Sequence, residues 1–190
     1  MTALASTLSI RYFPRAASWL RDLFLILFGS LFVAALAQVK IPLPFTTVPI
    51  TGQTFGVLLI GAALGSKRGA ASLGLYLAEG ITGLPFFAGG GHGLHVITGA
   101  TGGYLIGFIA AAYVVGHLAE RGLERNARTS FIPFLVGTTI IYACGVSWLA
   151  IVSGDFSKTF ALGFFPFLIG DVIKLIAAAL VLPAAWKLVK

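Results

Sequence analysis

The chain is 190 residues long, 58% hydrophobic and only 10% charged, against roughly 25% charged residues in a soluble domain. A folded chain of this size needs more polar cover than that in water, which excludes a soluble enzyme, a disordered tail and a disulfide scaffold and leaves an integral membrane protein. Thirteen Lys and Arg against six Asp and Glu give a net charge of +7; these bases flank apolar segments, so they are read as topology determinants and no nucleic-acid partner is expected.

A helix needs about 20 apolar residues to cross the hydrocarbon core. After a leader over residues 1–19, residues 20–41 make the first such run, ended by Pro42 and Pro44. Shorter runs follow at 53–66 and 69–81, then a glycine-rich break, then runs at 96–118, 131–152 and 160–186. The expectation is an all-α integral membrane protein: one domain over residues 1–190, with six transmembrane helices in a lipid bilayer. Cys144 lies inside the fifth run and reads as a small buried hydrophobe. No Cys/His spacing resembles a zinc site, so neither a metal nor a cofactor is expected.

The basic residues test this layout. Arg11, Arg15, Arg21, Lys67, Arg68, Arg121, Arg125, Arg128, Lys187 and Lys190 fall on one side of it. Lys40 and Lys158 fall on the other, and Lys174 lies within the sixth run. The positive-inside rule then places both termini in the cytoplasm.

Ionisable groups within a membrane are costly and mark sites. The sequence offers Glu79 in the third run and Asp171 with Lys174 in the sixth. Three residues apart, the last two share a helical face. An internal salt bridge is one explanation; a ligand needing both a donor and an acceptor is the better one, because apolar residues would pack there at lower cost. Lys174 precedes Lys187 by thirteen residues, roughly 20 Å of helix, which puts the pair in the outer half of the membrane.

The link ITGLPFFAGGGHGLHVITGATGGYLIGF lies on that same side. So irregular a backbone survives near membrane depth when it is buried or lines a cavity, and glycines allow close main-chain approach to a ligand. Within it Gly89, Gly90, Gly91, His92, Thr101 and Tyr104 are candidate ligand contacts. Gln53, at the mouth of the second run, is another; Glu79 either reaches the cavity or makes an interhelical hydrogen bond. GxxxxGK[ST] is absent, so ATP hydrolysis is not expected of this chain. GxSxG and HExxH are absent too, and no enzyme is expected.

The segments IPLPFTTVPITGQTF, GLPFFAGGGHG, TGATGGYLIGF and PFLIGDVIK, in this order over residues 38–174, resemble the BioY family of biotin transporters. That family supplies substrate-binding S components of energy-coupling factor transporters. The resemblance implies six helices, a biotin pocket in the outer half, and a prokaryotic, multi-pass plasma-membrane protein. It also implies partners, namely a transmembrane coupling protein and two ATPase subunits. The family's GDxxK positions are Asp171 and Lys174, and its cap corresponds to Gly89, Gly90 and residues 101–104. Two departures stand out. Ala100 replaces the usual proline before Thr101, and the AxxxA expected on the first helix for docking is reduced to the small residues Gly29, Ser30 and Ala34. The alternatives are an S component for another vitamin, a proton-coupled carrier using Glu79 and Asp171, and an assembly protein without a ligand.

Overall fold

The computed structural model describes residues 3–5, 7–8, 17–126 and 128–187; Arg11, Arg15 and Lys190 lie outside them. Helix α1 (Ser18–Ala37) stops just before the segment containing Pro42 and Pro44, where fixed φ and missing N–H groups cannot sustain a helix. The extended link carries β1 (Lys40–Ile41), antiparallel to β2 (Ile50–Thr51) with Lys40 opposite Thr51. Helices α2 (Gln53–Leu64) and α3 (Ser66–Ile81) are separated by Gly65 alone. Its φ of 85° is one that side chains rarely adopt, so a single residue suffices to reverse the chain.

A long link with the short helix α4 (Leu94–Thr98) leads to α5 (Gly102–Glu120). A 3-10 turn (Leu123–Arg125) precedes α6 (Phe131–Ser153), followed by α7 (Phe156–Gly163), a second 3-10 turn (Phe165–Phe167) and α8 (Leu168–Lys187). The six apolar runs thus appear as α1, α2, α3, α5, α6 and the pair α7–α8. Several differ from the expected bounds: the run at 20–41 is helical only to Ala37, with Lys40–Ile41 in β1. The run at 96–118 becomes continuous helix only from Gly102, and the run at 160–186 breaks around Pro166 before α8 begins.

Helix α5 packs against α2, α3 and α6. Its contact with α6 is close because small residues face large ones: a Cβ at Gly107 would lie 2.9 Å from the Cys144 Cβ, and one at Gly145 would run into the Tyr104 ring. Such small-residue seams suit helices that gain no hydrophobic drive from lipid. Leu23, Phe24, Leu27, Phe28 and Leu31 on α1, and Ile169, Val172, Ile173, Ile176 and Leu180 on α8, are exposed. Continuous apolar faces of this kind belong against a bilayer rather than water. Among the described residues four helical stretches, Ser18–Ala37, Gly102–Glu120, Phe131–Ser153 and Lys158–Lys187, are long and apolar enough to cross one. With twelve and sixteen residues, α2 and α3 are shorter than the usual span.

The joints at one end carry most of the described basic residues. Ser66, between Gly65 and Lys67, donates from its N and Oγ to Glu120 Oε1 at 2.8 and 3.0 Å. Arg68 pairs with Asp22 at 2.7 Å, and Trp186 Nε1 donates to Glu124 at 3.0 Å. A second buried cluster, with Leu4, Leu58, Val115, Phe134 and Leu182, fills this end.

Gly29, Ser30 and Ala34, expected on a partner surface, are buried instead. A Cβ at Gly29 would lie 2.5 Å from Ser72 Oγ of α3, and the Ser30 hydroxyl donates to Glu79. Small residues here let α1 approach α3, a packing contact within the chain and not an exposed docking stripe.

Candidate functional site: a polar-floored cavity

At the end of the bundle opposite those joints lies a cavity of about 220 Å³. Its polar floor is built from three helices. Asp171 and Lys174 lie near the start of α8, one turn apart on the same face, and their side chains pair at 2.9 Å. Thr54, in the first turn of α2, bridges them: its Oγ1 donates to Asp171 Oδ1 at 3.3 Å and accepts from Lys174 Nζ at 3.0 Å. From α6, the Tyr142 hydroxyl donates to Asp171 Oδ2 at 2.5 Å.

Asp171 is only 8% exposed. An unpartnered carboxylate at that depth would cost several kcal/mol, and three donors from three elements offset this. Lys174 spends two of its three ammonium protons on Asp171 and Thr54, leaving one donor. The floor therefore presents an acceptor and a donor side by side, suited to a ligand carrying adjacent N–H and C=O groups.

A second polar chain braces the wall. Gln53 Nε2 donates to the Tyr76 hydroxyl at 2.7 Å, and Tyr76 donates to the Phe86 carbonyl at 3.1 Å. Gln53 Oε1 accepts from Thr51 at 2.9 Å. Tyr104 donates to the Gly163 carbonyl at 2.7 Å, tying α5 to the break before α8. Between these groups the lining is apolar, including Val48, Phe87, Leu105, Phe108, Ile141 and Phe167. An apolar body with few polar anchors is the usual make-up of a small-molecule site.

The glycine-rich link forms a folded cap. Phe87 N donates to Gly91 O at 2.9 Å, Gly89 N to Ala37 O at 3.1 Å, and Gly93 N to Gly80 O at 2.7 Å. Trp148 Nε1 donates to Gly99 O at 2.8 Å. That bond pins the segment just before Ala100, so an indole of α6 restrains the cap where the expected proline is absent.

Of the residues singled out from sequence, Asp171, Lys174, Gln53, Gly91, Thr101 and Tyr104 line the cavity together. Glu79 does not: it is engaged by Ser30 between α1 and α3, the interhelical alternative. Gly90 and His92 are also outside the lining; His92 is exposed, its Nδ1 3.4 Å from Gly90 O. Gly89 lies behind the wall against Lys40. Sequence reasoning missed Thr54, Tyr142 and Lys40 as lining residues. Thr54 adjoins Gln53 and could have been found as a polar residue on the first turn of α2. Tyr142 carries no such signal, since a tyrosine in an apolar run reads equally well as packing.

The BioY family model matches residues 5–190. The biotin transporter BioY of Rhizobium etli is 39% identical over 169 residues, covering 84% of this chain and 90% of that protein. The biotin transporter BioY of Thermotoga maritima is 42% identical over 145 residues, covering 74% of this chain and 82% of its own length. Among solved structures, the S-component for biotin from an ECF-type ABC transporter superposes with a TM-score of 0.81 at 28% identity, covering 88% of this chain and 92% of that one. These relatives are transporters, and a match over nearly the whole length, at this identity and with this fold, makes the chain a membrane protein of the BioY family.

Proposed function

We propose that the chain captures biotin in this cavity and passes it across the plasma membrane of a prokaryote as the S component of an energy-coupling factor transporter. The observation that carries this is the Asp171–Lys174–Thr54–Tyr142 floor, set in a cavity of a fold shared with a biotin S-component. Biotin has a ureido ring with two N–H donors and a carbonyl, an apolar thiophane body and a carboxylate tail. Asp171 accepts a ureido N–H, Lys174 donates its remaining N–H to the ureido carbonyl, and Phe87, Phe108 and Phe167 cover the apolar body. Charge-assisted hydrogen bonds in a dry site are the strong kind.

In this proposal the helical runs make six passes with both termini cytoplasmic, which places the basic joints inside and the cavity outside. Energy comes from a transmembrane coupling protein and two ATPase subunits, since the phosphate loop is missing from this sequence. Gly29, Ser30 and Ala34, being internal, do not form the docking surface. Titration of the purified chain with biotin, thiamine and riboflavin tests the substrate: tight binding of biotin alone is expected, and preference for another vitamin would sink the assignment. Uptake that stopped on proton uncoupling with ATP intact would favour a carrier.

A further inference from the structure

Lys40 is a cavity cation to which the proposed mechanism gives no task. It opens β1 opposite Thr51 and lines the cavity from the cap side. Its stem crosses Gly89 so closely that a Cβ there would lie 2.6 Å from Lys40 Cδ and 3.3 Å from Nζ. Gly89 has a φ of 65° and is anchored by its own N–H to Ala37 O at 3.1 Å. The missing side chain at 89 thus gives the lysine a track along the cap. Among the described residues the ammonium has neither hydrogen bond nor ion pair. Lys174, by contrast, is engaged twice.

The charges of the lining carry the point further. Its Lys and Asp residues are Lys40, Asp171 and Lys174, and the last two pair with each other. One positive charge, on the exposed Lys40 at the cap side, is left without an ion pair among the described residues. A ligand with a neutral hydrogen-bonding head and a single anionic tail matches that distribution: the head meets a floor already neutral, and the tail meets the spare cation.

We infer that Lys40, laid along the cap by Gly89, is the specificity-determining contact for a carboxylate on the ligand's tail, while Asp171, Thr54 and Lys174 hold the neutral head. This rests on biotin being the ligand and resolves which cation meets which end of it. The consequence is selectivity for free acids over esters and amides of the same compound.

The test titrates the full-length purified chain with biotin and with its primary amide, in wild type, Lys40→Gln and Lys40→Arg. Wild type is expected to favour the acid by about tenfold, the size of a hydrogen bond to a charged group at a partly solvated site. That preference should shrink in high salt. Lys40→Gln should bind both compounds with the wild-type affinity for the amide, and Lys40→Arg should restore the preference. An undiminished preference in Lys40→Gln overturns the inference by placing the carboxylate elsewhere. Loss of amide binding in that variant overturns it too, because the lysine would then be structural. A wild type binding acid and amide equally removes the inference and leaves biotin capture standing; one binding neither removes both.

Discussion

Helix α8 carries at its two ends the contacts of two buried carboxylates, and they are handled in opposite ways. Asp171, in the first turn, has a cation and two hydroxyl donors around it and faces a cavity. Glu124 meets the same helix fifteen residues on, about 22 Å along the axis, through Trp186. It is 0% exposed, its Oε2 has no hydrogen-bond partner among the described residues, and Arg125 Nε stands 3.7 Å from Oε1 while the guanidinium lies 4.3 Å from the Trp186 ring centre. The first group is satisfied by residues from three elements and keeps donors and acceptors open to a guest. The second is closed in and under-satisfied, a clasp between the α5–α6 link and the last helix. Burial of a charge therefore does not by itself mark a ligand site; access does.

Asp171→Asn has the largest expected effect. It removes the negative charge, turns one acceptor oxygen into a donor and takes from Lys174 its ion pair, so biotin affinity should fall by about a hundredfold, the scale of a charge-assisted hydrogen bond lost in a dry pocket. Calorimetric titration reads this directly, and an affinity within threefold of wild type would remove Asp171 from the site. Tyr142→Phe deletes only the hydroxyl at Asp171 Oδ2 and keeps the ring packed edge-on to Phe164 at 4.8 Å. A loss of about tenfold in affinity is expected.

At the Glu124 clasp, away from the cavity, stability alone should respond. Trp186→Phe takes a donor from Glu124 and should cost about 1–3 kcal/mol of stability while biotin affinity stays within twofold. A change in affinity comparable to that of Tyr142→Phe would show that the two ends are coupled. The smallest effect concerns pH. Burial pushes the Glu124 carboxyl above the ordinary carboxylate value, against the lowering pull of Arg125 and Trp186. Between the ordinary and the raised value the folded chain keeps a proton that the unfolded chain releases. The contribution of this group is therefore largest in acid and is lost as pH rises through that window. Melting profiles of wild type and Glu124→Gln should diverge in that direction, the variant being relatively more stable toward neutral pH; parallel profiles would contradict it.

Much of the architecture was legible in the chain because it depends on local composition. The apolar runs are helices, and Lys67, Arg121 and Lys187 terminate or join them at one end. The spacing of Asp171 and Lys174 implied a shared face, and the two do meet. The glycine-rich link pointed to a cap, and its internal hydrogen bonds make one. The misses have a common cause. Glu79 and Ser30 are 49 positions apart, so nothing local told that the acid would be taken up by α1 and not by the cavity. The same contact turned Gly29, Ser30 and Ala34 inward. For the site, Thr54 reaches Asp171 across 117 positions and Tyr142 across 29.

What the sequence by itself determined is the membrane class, the succession of helices, the basic end and the acid–base pair, since these follow from hydropathy, charge placement and helical periodicity. Only the tertiary structure decided which polar groups share the pair's cavity, which carboxylate is a clasp, and that Lys40 is brought over the cap by the absent side chain at Gly89. Those outcomes depend on which faces of distant helices meet, and no periodicity along a single element encodes that.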